Sequence, residues 1–271
     1  AATDCAPCSS ALRSLASASE ERLEALGGLW DPWGGATPEG EKAPAPVSAA
    51  PTDVSAFISW LARTATRDLE IAADPTRADT EEARTLSASA LGRYASAVTL
   101  ANAYGINLDA GEEEAAAIND RVNTASRQGT QTWAIDLFDE PAISSTFAPS
   151  GKDLASSEEL SEAVAMWDCT ASTLPKAQVV AGTLTDAYDV SGQLLTRAQV
   201  ALRAGATDTR TPRCELPATD AATLASNLLA VDAAMISSNS ASVRAAGASA
   251  ALADIEQWAP RTSLPALIAV R

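Results

Sequence analysis

Apolar residues recur in this chain at intervals of three and four, and this spacing constrains the fold more than any other feature of the sequence. The clearest example is the run Phe57, Leu61, Ala65, Leu69 and Ala72, which has the period of one buried face of an α-helix. Alanine, the best helix former, supplies 61 of the 271 residues. No segment has the two-residue alternation that is typical of a half-buried strand. The sequence therefore predicts an all-α protein, a helical bundle.

Capping residues predict where several helices begin. Asp79 and Glu82 have the spacing of a capping box, and Asp109 and Glu112 repeat it. Pro175 suits the first turn of a helix. Stripes and caps together predict about eight helices, carried by residues 10–26, 53–73, 80–104, 110–125, 157–167, 175–204, 224–235 and 251–258.

The stripes also assign particular side chains to the core. The predicted stripe of the first helix is Leu12, Leu15, Leu23 and Leu26. The predicted stripe of the sixth helix is Val180, Leu184, Tyr188, Ser191, Leu195, Ala198 and Leu202. Tyr94, Tyr104 and Tyr188 all lie on such stripes, and we interpret them as core residues with hydrogen-bonded hydroxyls.

Two irregular segments divide the chain. Residues 27–51 are rich in Pro and Gly and are predicted to form a loop. Residues 139–154 are rich in Pro, Ser and Gly and are predicted to form a linker. The predicted organisation is therefore an N-terminal helical domain, residues 1–138, and a C-terminal helical domain, residues 155–271.

The chain contains no histidine and carries a formal net charge of −16, and both facts exclude classes of function. Without histidine there is no His general base, no Ser-His-Asp or Cys-His arrangement, and no His-ligated zinc, haem or di-iron site. The acidic surface repels phosphate backbones and anionic lipid headgroups, which argues against nucleic-acid binding. Glu112, Glu113 and Glu114 suit the first turn of a helix better than a metal site. We predict no catalytic residue, no cofactor and no bound metal, and thus a protein that is not an enzyme.

Four cysteines, Cys5, Cys8, Cys169 and Cys214, are spread along the chain. An even number without a metal-type second pair indicates two disulfides and an oxidising compartment. Cys5-Ala-Pro-Cys8 also has the C-x-P-C form of thioredoxin-like redox proteins, just before a predicted helix. A structural bridge and a redox pair are both open for these two cysteines.

Geometry limits how the cysteines can pair. Cys169 lies near the start of the predicted helix 175–204 and Cys214 lies beyond its end, and about 30 helical residues would separate these ends by about 45 Å. Bonded cysteines need Cα atoms within about 7 Å. Every full pairing of the four brings Cys169 and Cys214 into one neighbourhood. We therefore predict that the helix breaks, at Gly182 or Gly192, and that the following loop partly returns. Geometry leaves all three full pairings open, and we predict Cys169 with Cys214 and Cys5 with Cys8 because neither bond then requires contact between the N-terminus and the second domain.

The C-terminal third, residues 172–271, resembles the ferritin-like helical domain of exported actinobacterial lipoproteins of unknown function. The segments that carry the resemblance are TDAYDVSGQLLTRAQ, TDAATLASNLLAVDAAM and ALADIEQWAPRTSLPAL. This chain has Thr185-Asp186 where that family's first helix commonly carries Glu-His. The resemblance implies a ferritin-like bundle and an exported, lipid-tethered protein, with the lipidated cysteine N-terminal to Ala1.

Trp30 and Trp33 flank Pro32 in the predicted loop. They either anchor a partner protein or fold back over one end of the bundle. The predicted function is that of a non-catalytic exported envelope protein, a protein-binding accessory subunit of a membrane complex, in the periplasm or on the outer face of the cytoplasmic membrane. The alternatives are a small-molecule binding module with a pocket between helices and a thiol redox protein that uses Cys5 and Cys8.

Overall fold

A computed structural model describes residues 5–28, 39–40, 49–108, 154, 157–181, 186–214, 216, 218 and 220–269, the side chains of 177–181 excepted. Within these residues the chain forms seven α-helices and no β-strand, so the prediction of an all-α protein is confirmed. The helices are α1 (Ala6–Ala25), α2 (Val54–Ala73), α3 (Thr80–Tyr104), α4 (Glu158–Ala181), α5 (Ala187–Arg203), α6 (Ala221–Ile236) and α7 (Ala241–Trp258). No helix in this part of the chain has the length and apolar character that a membrane span needs.

Several expectations lie outside the described residues. They are the predicted helix at 110–125 with its three glutamates, the two tryptophans Trp30 and Trp33, and the linker at 139–154 apart from Leu154. The number of eight helices and the division into two domains therefore stay predictions.

The predicted cap of α3 is confirmed atom by atom. The side chain of Asp79 accepts the N–H groups of Glu81 and Glu82, each at 2.9 Å, and Glu82 Oε2 accepts the N–H of Asp79 at 3.0 Å. This reciprocal bonding satisfies the backbone donors that a helix start leaves free. Gly105 ends α3 in the left-handed conformation, with φ of 64°, which glycine adopts at little cost.

The interpretation of Pro175 as a helix start is wrong. Pro175 lies inside α4, which runs from Glu158 to Ala181. Proline has no N–H to donate to the carbonyl four residues earlier, that of Ala171. Here Ser191 Oγ of α5 donates to Ala171 O at 2.7 Å, so the neighbouring helix satisfies the carbonyl that proline leaves free.

The predicted break in the helix is confirmed, and Gly182, one of its two predicted positions, lies outside the described residues. Helix α4 ends at Ala181, directly before Gly182, and α5 begins at Ala187, whereas Gly192 lies inside α5. The loop after α5 returns along α4, as predicted. Thr209 Oγ1 donates to Ser161 O of α4 at 2.7 Å.

The predicted buried stripe of α1 is largely wrong, and that of α5 is right only in part. On α5, Ser191 and Ala198 are buried as predicted and Leu202 is half-buried, whereas the side chains of Val180 and Leu184 lie outside the described residues. Tyr188 is 72% exposed and Leu195 is 37% exposed, so neither is a core residue. The buried face of α5 consists of Ala187, Val190, Ser191, Leu194, Arg197, Ala198, Val200 and Ala201. On α1, Leu15 is buried, but Leu12, Leu23 and Leu26 are exposed, and the buried face is Cys8, Ala11, Leu15 and Arg22. In both helices a buried arginine makes the true inner face look polar in the sequence.

The other two tyrosines behave differently. Tyr94 is fully buried and its hydroxyl donates to Glu256 Oε1, as predicted for a core tyrosine. Tyr104 is only half-buried and packs at the edge of the core.

Helices α4 to α7 form a four-helix unit whose directions follow from their contacts. Helices α4 and α5 are antiparallel, because Ala171 and Trp167 of α4 meet Ser191 and Arg197 of α5 in reverse order. Ser238, just beyond α6, donates to Glu159 at the start of α4 at 3.3 Å, so α4 and α6 are also antiparallel.

Helix α7 reverses direction after the short turn at 237–240. The directions in chain order are therefore up, down, down and up. A long crossover at 204–220 joins the two parallel neighbours in the chain, α5 and α6.

Helix α7 joins the four-helix unit to α1, α2 and α3. Fourteen of its 18 residues are buried, which is expected of a helix covered on all sides. One face, including Leu252 and Ile255, packs with α2 and α3, and another, including Val243 and Trp258, packs with α4 to α6. The many small residues of α7 permit this close packing on two faces. A Cβ on Gly247 would lie 2.6 Å from Met235 Cβ of α6.

The segment after α7 folds back over α3. Ile268 N–H donates to Ala88 O at 3.1 Å, and the buried Arg22 of α1 donates to Ala266 O at 3.2 Å. A Cβ on Gly92 would overlap the carbonyl oxygen of Ala266, so glycine at this position of α3 makes room for the segment.

Candidate functional site

The centre of the four-helix unit holds a charge cluster, made of Trp167, Arg197, Asp232 and Asp254. Each of the helices α4 to α7 supplies one member. All four residues are buried. Buried charges are costly unless they are paired, so the chemistry of this cluster needs an explanation.

Arg197 and Asp254 form the ion pair of the cluster. Arg197 Nη1 donates to Asp254 Oδ2 and Arg197 Nη2 donates to Asp254 Oδ1, both at 3.0 Å. This two-point geometry is the strongest that arginine makes with a carboxylate. The guanidinium also lies over the ring of Trp167, 5.3 Å from its centre. Burial works to lower the pKa of Arg197, but the carboxylates, Asp254 above all, outweigh burial and raise that pKa above its ordinary value.

Asp232 is the second acidic member of the cluster, and its surroundings favour its protonated form. Trp167 Nε1 donates to Asp232 Oδ1 at 3.1 Å, while no donor among the described residues faces Oδ2. Loss of solvent and the nearby charge of Asp254 raise the pKa of Asp232 well above its ordinary value, against the opposing effect of Arg197. A proton on Oδ2 lets Asp232 donate to Asp254. The cluster then holds one cation, one anion and one neutral acid.

The charge cluster does not fit a metal ion. The place between the two carboxyl groups is adjoined by the guanidinium of Arg197, which repels a second cation. No group of three or more His, Cys, Asp or Glu residues able to hold a metal occurs among the described residues. All four members are buried, so the cluster has no open face, and its arrangement positions the four helices relative to one another.

Our reading of the sequence missed all four members of the cluster as a site. The signal that could have found them is a charged residue inside an otherwise apolar stripe. Asp232 interrupts the run LLAVDAAM, and Asp254 interrupts ALADIEQW. Apolar periodicity alone assigns charged residues to the surface, because it does not show whether a charged residue has a buried partner on another helix.

The four cysteines pair as predicted. Cys169 and Cys214 are bonded, with Cα atoms 5.3 Å apart, and Cys5 and Cys8 are bonded, with Cα atoms 5.2 Å apart. The first pair fastens the returning crossover to α4. Arg210 of the crossover supports this attachment through an ion pair with Asp168 at 3.3 Å. Disulfides of this kind are typical of oxidising, exported environments.

Two surface grooves bear on the prediction of a small-molecule pocket between helices. One, of about 360 Å³, lies between α3, α4, α6 and the segment after α7, and is lined mainly by small residues together with Arg84 and Glu162. The other, of about 450 Å³, lies between α1, α3 and the segment after α7. Neither includes a member of the charge cluster, and both are lined mainly by alanine, serine and other small side chains.

Comparison of the chain with models of protein families, with curated proteins and with solved structures gives no match in any of the three.

Proposed function

We propose that this protein is an exported, non-catalytic lipoprotein of the cell envelope that binds another protein, as an accessory subunit on the outer face of a membrane complex. Its C-terminal helices form a ferritin-like bundle, and one further helix between α3 and α4 brings the total to about eight. The observation that carries the proposal is the charge cluster, a closed ion pair at the centre of the four-helix unit.

The topology of α4 to α7 supports the ferritin-like assignment. Ferritin-like bundles have one long crossover connection, and their metal ligands project inward from all four helices to the bundle centre. In this chain the crossover at 204–220 joins two parallel helices, and all four helices project one residue each to the centre. Arg197 there supplies a fixed positive charge where such bundles hold metal ions. The bundle is therefore a scaffold in which an ion pair takes the metal's place.

The surface and the disulfides support the rest of the proposal. Two disulfides suit the oxidising side of a membrane. The net charge of −16 works against direct docking to anionic lipids, so attachment requires either a lipid anchor N-terminal to Ala1 or a protein partner. The partner-binding candidates are Trp30 and Trp33, since paired tryptophans are frequent anchors of interfaces.

The experiment is chemical cross-linking of the full-length protein to membranes of its native host, followed by mass spectrometry. We expect one envelope protein to be recovered with the wild type, and about tenfold less of it when Trp30 and Trp33 are both alanine. Tyr188→Ala is the matched control, because it removes an exposed aromatic residue elsewhere, and it should leave recovery unchanged.

The melting temperature of the double variant separates binding from folding. An unchanged melting temperature with lost recovery supports the partner role. Equal recovery by all three proteins, or a large fall in melting temperature of the double variant, contradicts it and favours tryptophans that cover the bundle.

A further inference from the structure

The two sulfurs of the N-terminal disulfide lie in unequal surroundings. Cys5 is the N-cap residue of α1, and its Sγ accepts the N–H of Cys8 at 3.2 Å. Cys5 is half-buried, whereas Cys8 is only 4% exposed. The carbonyl oxygen of Ala103 in α3 lies 3.3 Å from Cys8 Sγ and 3.8 Å from Cys5 Sγ. The carbonyl is therefore the closer neighbour of the buried sulfur.

Once the disulfide is reduced, these surroundings favour the thiolate form of Cys5 and the thiol form of Cys8. A thiolate on Cys5 is stabilised by the N–H of Cys8 and by the positive end of the α1 macrodipole. A thiolate on Cys8 would face the negative end of the Ala103 carbonyl dipole, but a thiol on Cys8 can donate its hydrogen to that oxygen. The reduced pair is thus a reactive, accessible thiolate beside a buried thiol, and this arrangement stabilises the reduced state.

We propose that Cys5 and Cys8 form a thiol–disulfide exchange site for the dithiol of a partner protein in the same compartment. A thiolate of the partner attacks Cys5 Sγ, which forms a mixed disulfide and breaks the bond between Cys5 and Cys8. Cys8 takes up a proton and donates it to the Ala103 carbonyl in a hydrogen bond.

The second thiolate of the partner then attacks the partner's own sulfur in the mixed disulfide and releases Cys5 as a thiolate. Two electrons pass from the partner to this chain, and the partner leaves as a disulfide. Of the two protons that the partner's thiols lose, one goes to Cys8 and the other to solvent. The reverse sequence oxidises the pair.

The second disulfide of the chain is an internal control. Cys169 lies in the middle of α4, away from a helix N-terminus, and its bond to Cys214 closes a loop of 45 residues rather than three. A longer closed loop constrains the unfolded chain more, so this bond should resist reduction in the folded protein. Both bonds can be followed in one sample.

The test is reduction of the full-length native protein by increasing concentrations of dithiothreitol, followed by alkylation and peptide mapping. We expect the Cys5–Cys8 bond to open at a dithiothreitol concentration at least about tenfold lower than the Cys169–Cys214 bond. In protein reduced at the first bond only, iodoacetamide should modify Cys5 at least about tenfold faster than Cys8.

Two single variants make the reactivity assignment independent of the disulfide. Cys8→Ser leaves Cys5 with the same backbone donor and should react fast, and Cys5→Ser leaves only the buried Cys8, which should react slowly. Simultaneous opening of both disulfides, or equal alkylation of Cys5 and Cys8 in the partly reduced wild type, would overturn the proposal. The wild-type measurement stands even where a variant fails to fold.

Discussion

Replacing Asp232 by asparagine should stabilise the protein at neutral pH, whereas the same change at Asp254 should destabilise it. The two residues are buried aspartates of one cluster, and the substitutions are equal in size and chemistry. They differ in their relation to Arg197. Asp254 balances the charge of Arg197 through two hydrogen bonds, whereas loss of solvent raises the pKa of Asp232 and so favours its neutral form.

The cost at Asp254 follows from the charge left behind. Asp254→Asn removes the carboxylate that pairs with Arg197 at two points, and only Asp232, which must first lose its proton, remains in the cluster to balance the guanidinium charge. Breaking a buried ion pair from one side costs about 3–5 kcal/mol. Ionisation of Asp232 offsets part of this cost, so we expect the free energy of unfolding to fall by no more than this amount.

The gain at Asp232 follows from the difference in its pKa between the folded and the unfolded chain. Loss of solvent holds the pKa of Asp232 in the folded protein well above the ordinary value of 3.8. At pH values between the pKa of Asp232 in the unfolded chain and its raised pKa in the folded chain, the folded state binds more protons than the unfolded state. The free energy of unfolding therefore falls as pH rises, by up to about 1.4 kcal/mol for each pH unit.

Asparagine has no acidic proton, so it removes this fall in the free energy of unfolding with rising pH. Its Oδ1 can still accept the Trp167 N–H, and its amide can donate to Asp254. The Asp232→Asn variant should therefore exceed the wild type in stability at about pH 7, and the difference should shrink as pH falls toward the unfolded pKa.

Urea unfolding followed by circular dichroism measures both effects, at about pH 5 and about pH 7. Wild type, Asp232→Asn and Asp254→Asn are compared under identical salt. A loss of several kcal/mol in Asp232→Asn together with a stable Asp254→Asn would show that the charges are assigned to the wrong residues. A difference between Asp232→Asn and wild type that does not change with pH would refute the buried proton.

The remaining predictions concern the disulfides and the contacts between helices. Cys169→Ser, which opens a 45-residue loop, should lower the free energy of unfolding by about 4 kcal/mol, and Cys5→Ser, which opens a three-residue loop, by only about 2 kcal/mol, as measured by urea unfolding. Ser191→Ala should cost about 1–2 kcal/mol because a buried carbonyl loses its donor. The same change should cost less in a Pro175→Ala background, where the helix supplies an N–H again. Gly92→Ala should cost about 1–3 kcal/mol and expose the C-terminal segment to proteases, which limited proteolysis would detect.

The parts of the fold that depend on local chemistry could be predicted from the sequence. The cap at Asp79 and Glu82 and the end of α3 at Gly105 involve neighbours in the chain, and the structure has them as expected. The nearness of Cys169 and Cys214 was also predictable, since bond geometry brings these two cysteines into one neighbourhood in every full pairing.

The parts that depend on a distant partner could not be predicted. Pro175 is tolerated inside α4 because Ser191, 16 residues further on, supplies a hydrogen bond, and no local rule contains that information. The inner face of α5 is hidden by Arg197, whose burial makes sense only once Asp254 lies opposite. Residues such as these look like surface positions until the helices are brought together.

The central claim is that an ion pair, rather than a metal ion or a substrate, occupies the centre of the four-helix unit. Elemental analysis of the full-length native protein, purified without chelators from medium containing iron, manganese and zinc, tests this claim most directly. We predict far less than one equivalent of any of these metals, and the same result for Asp232→Asn and Asp254→Asn. One or more equivalents in the wild type that are lost in the Asp254→Asn variant would contradict the account, because Asp254 would then be a metal ligand and not the partner of Arg197.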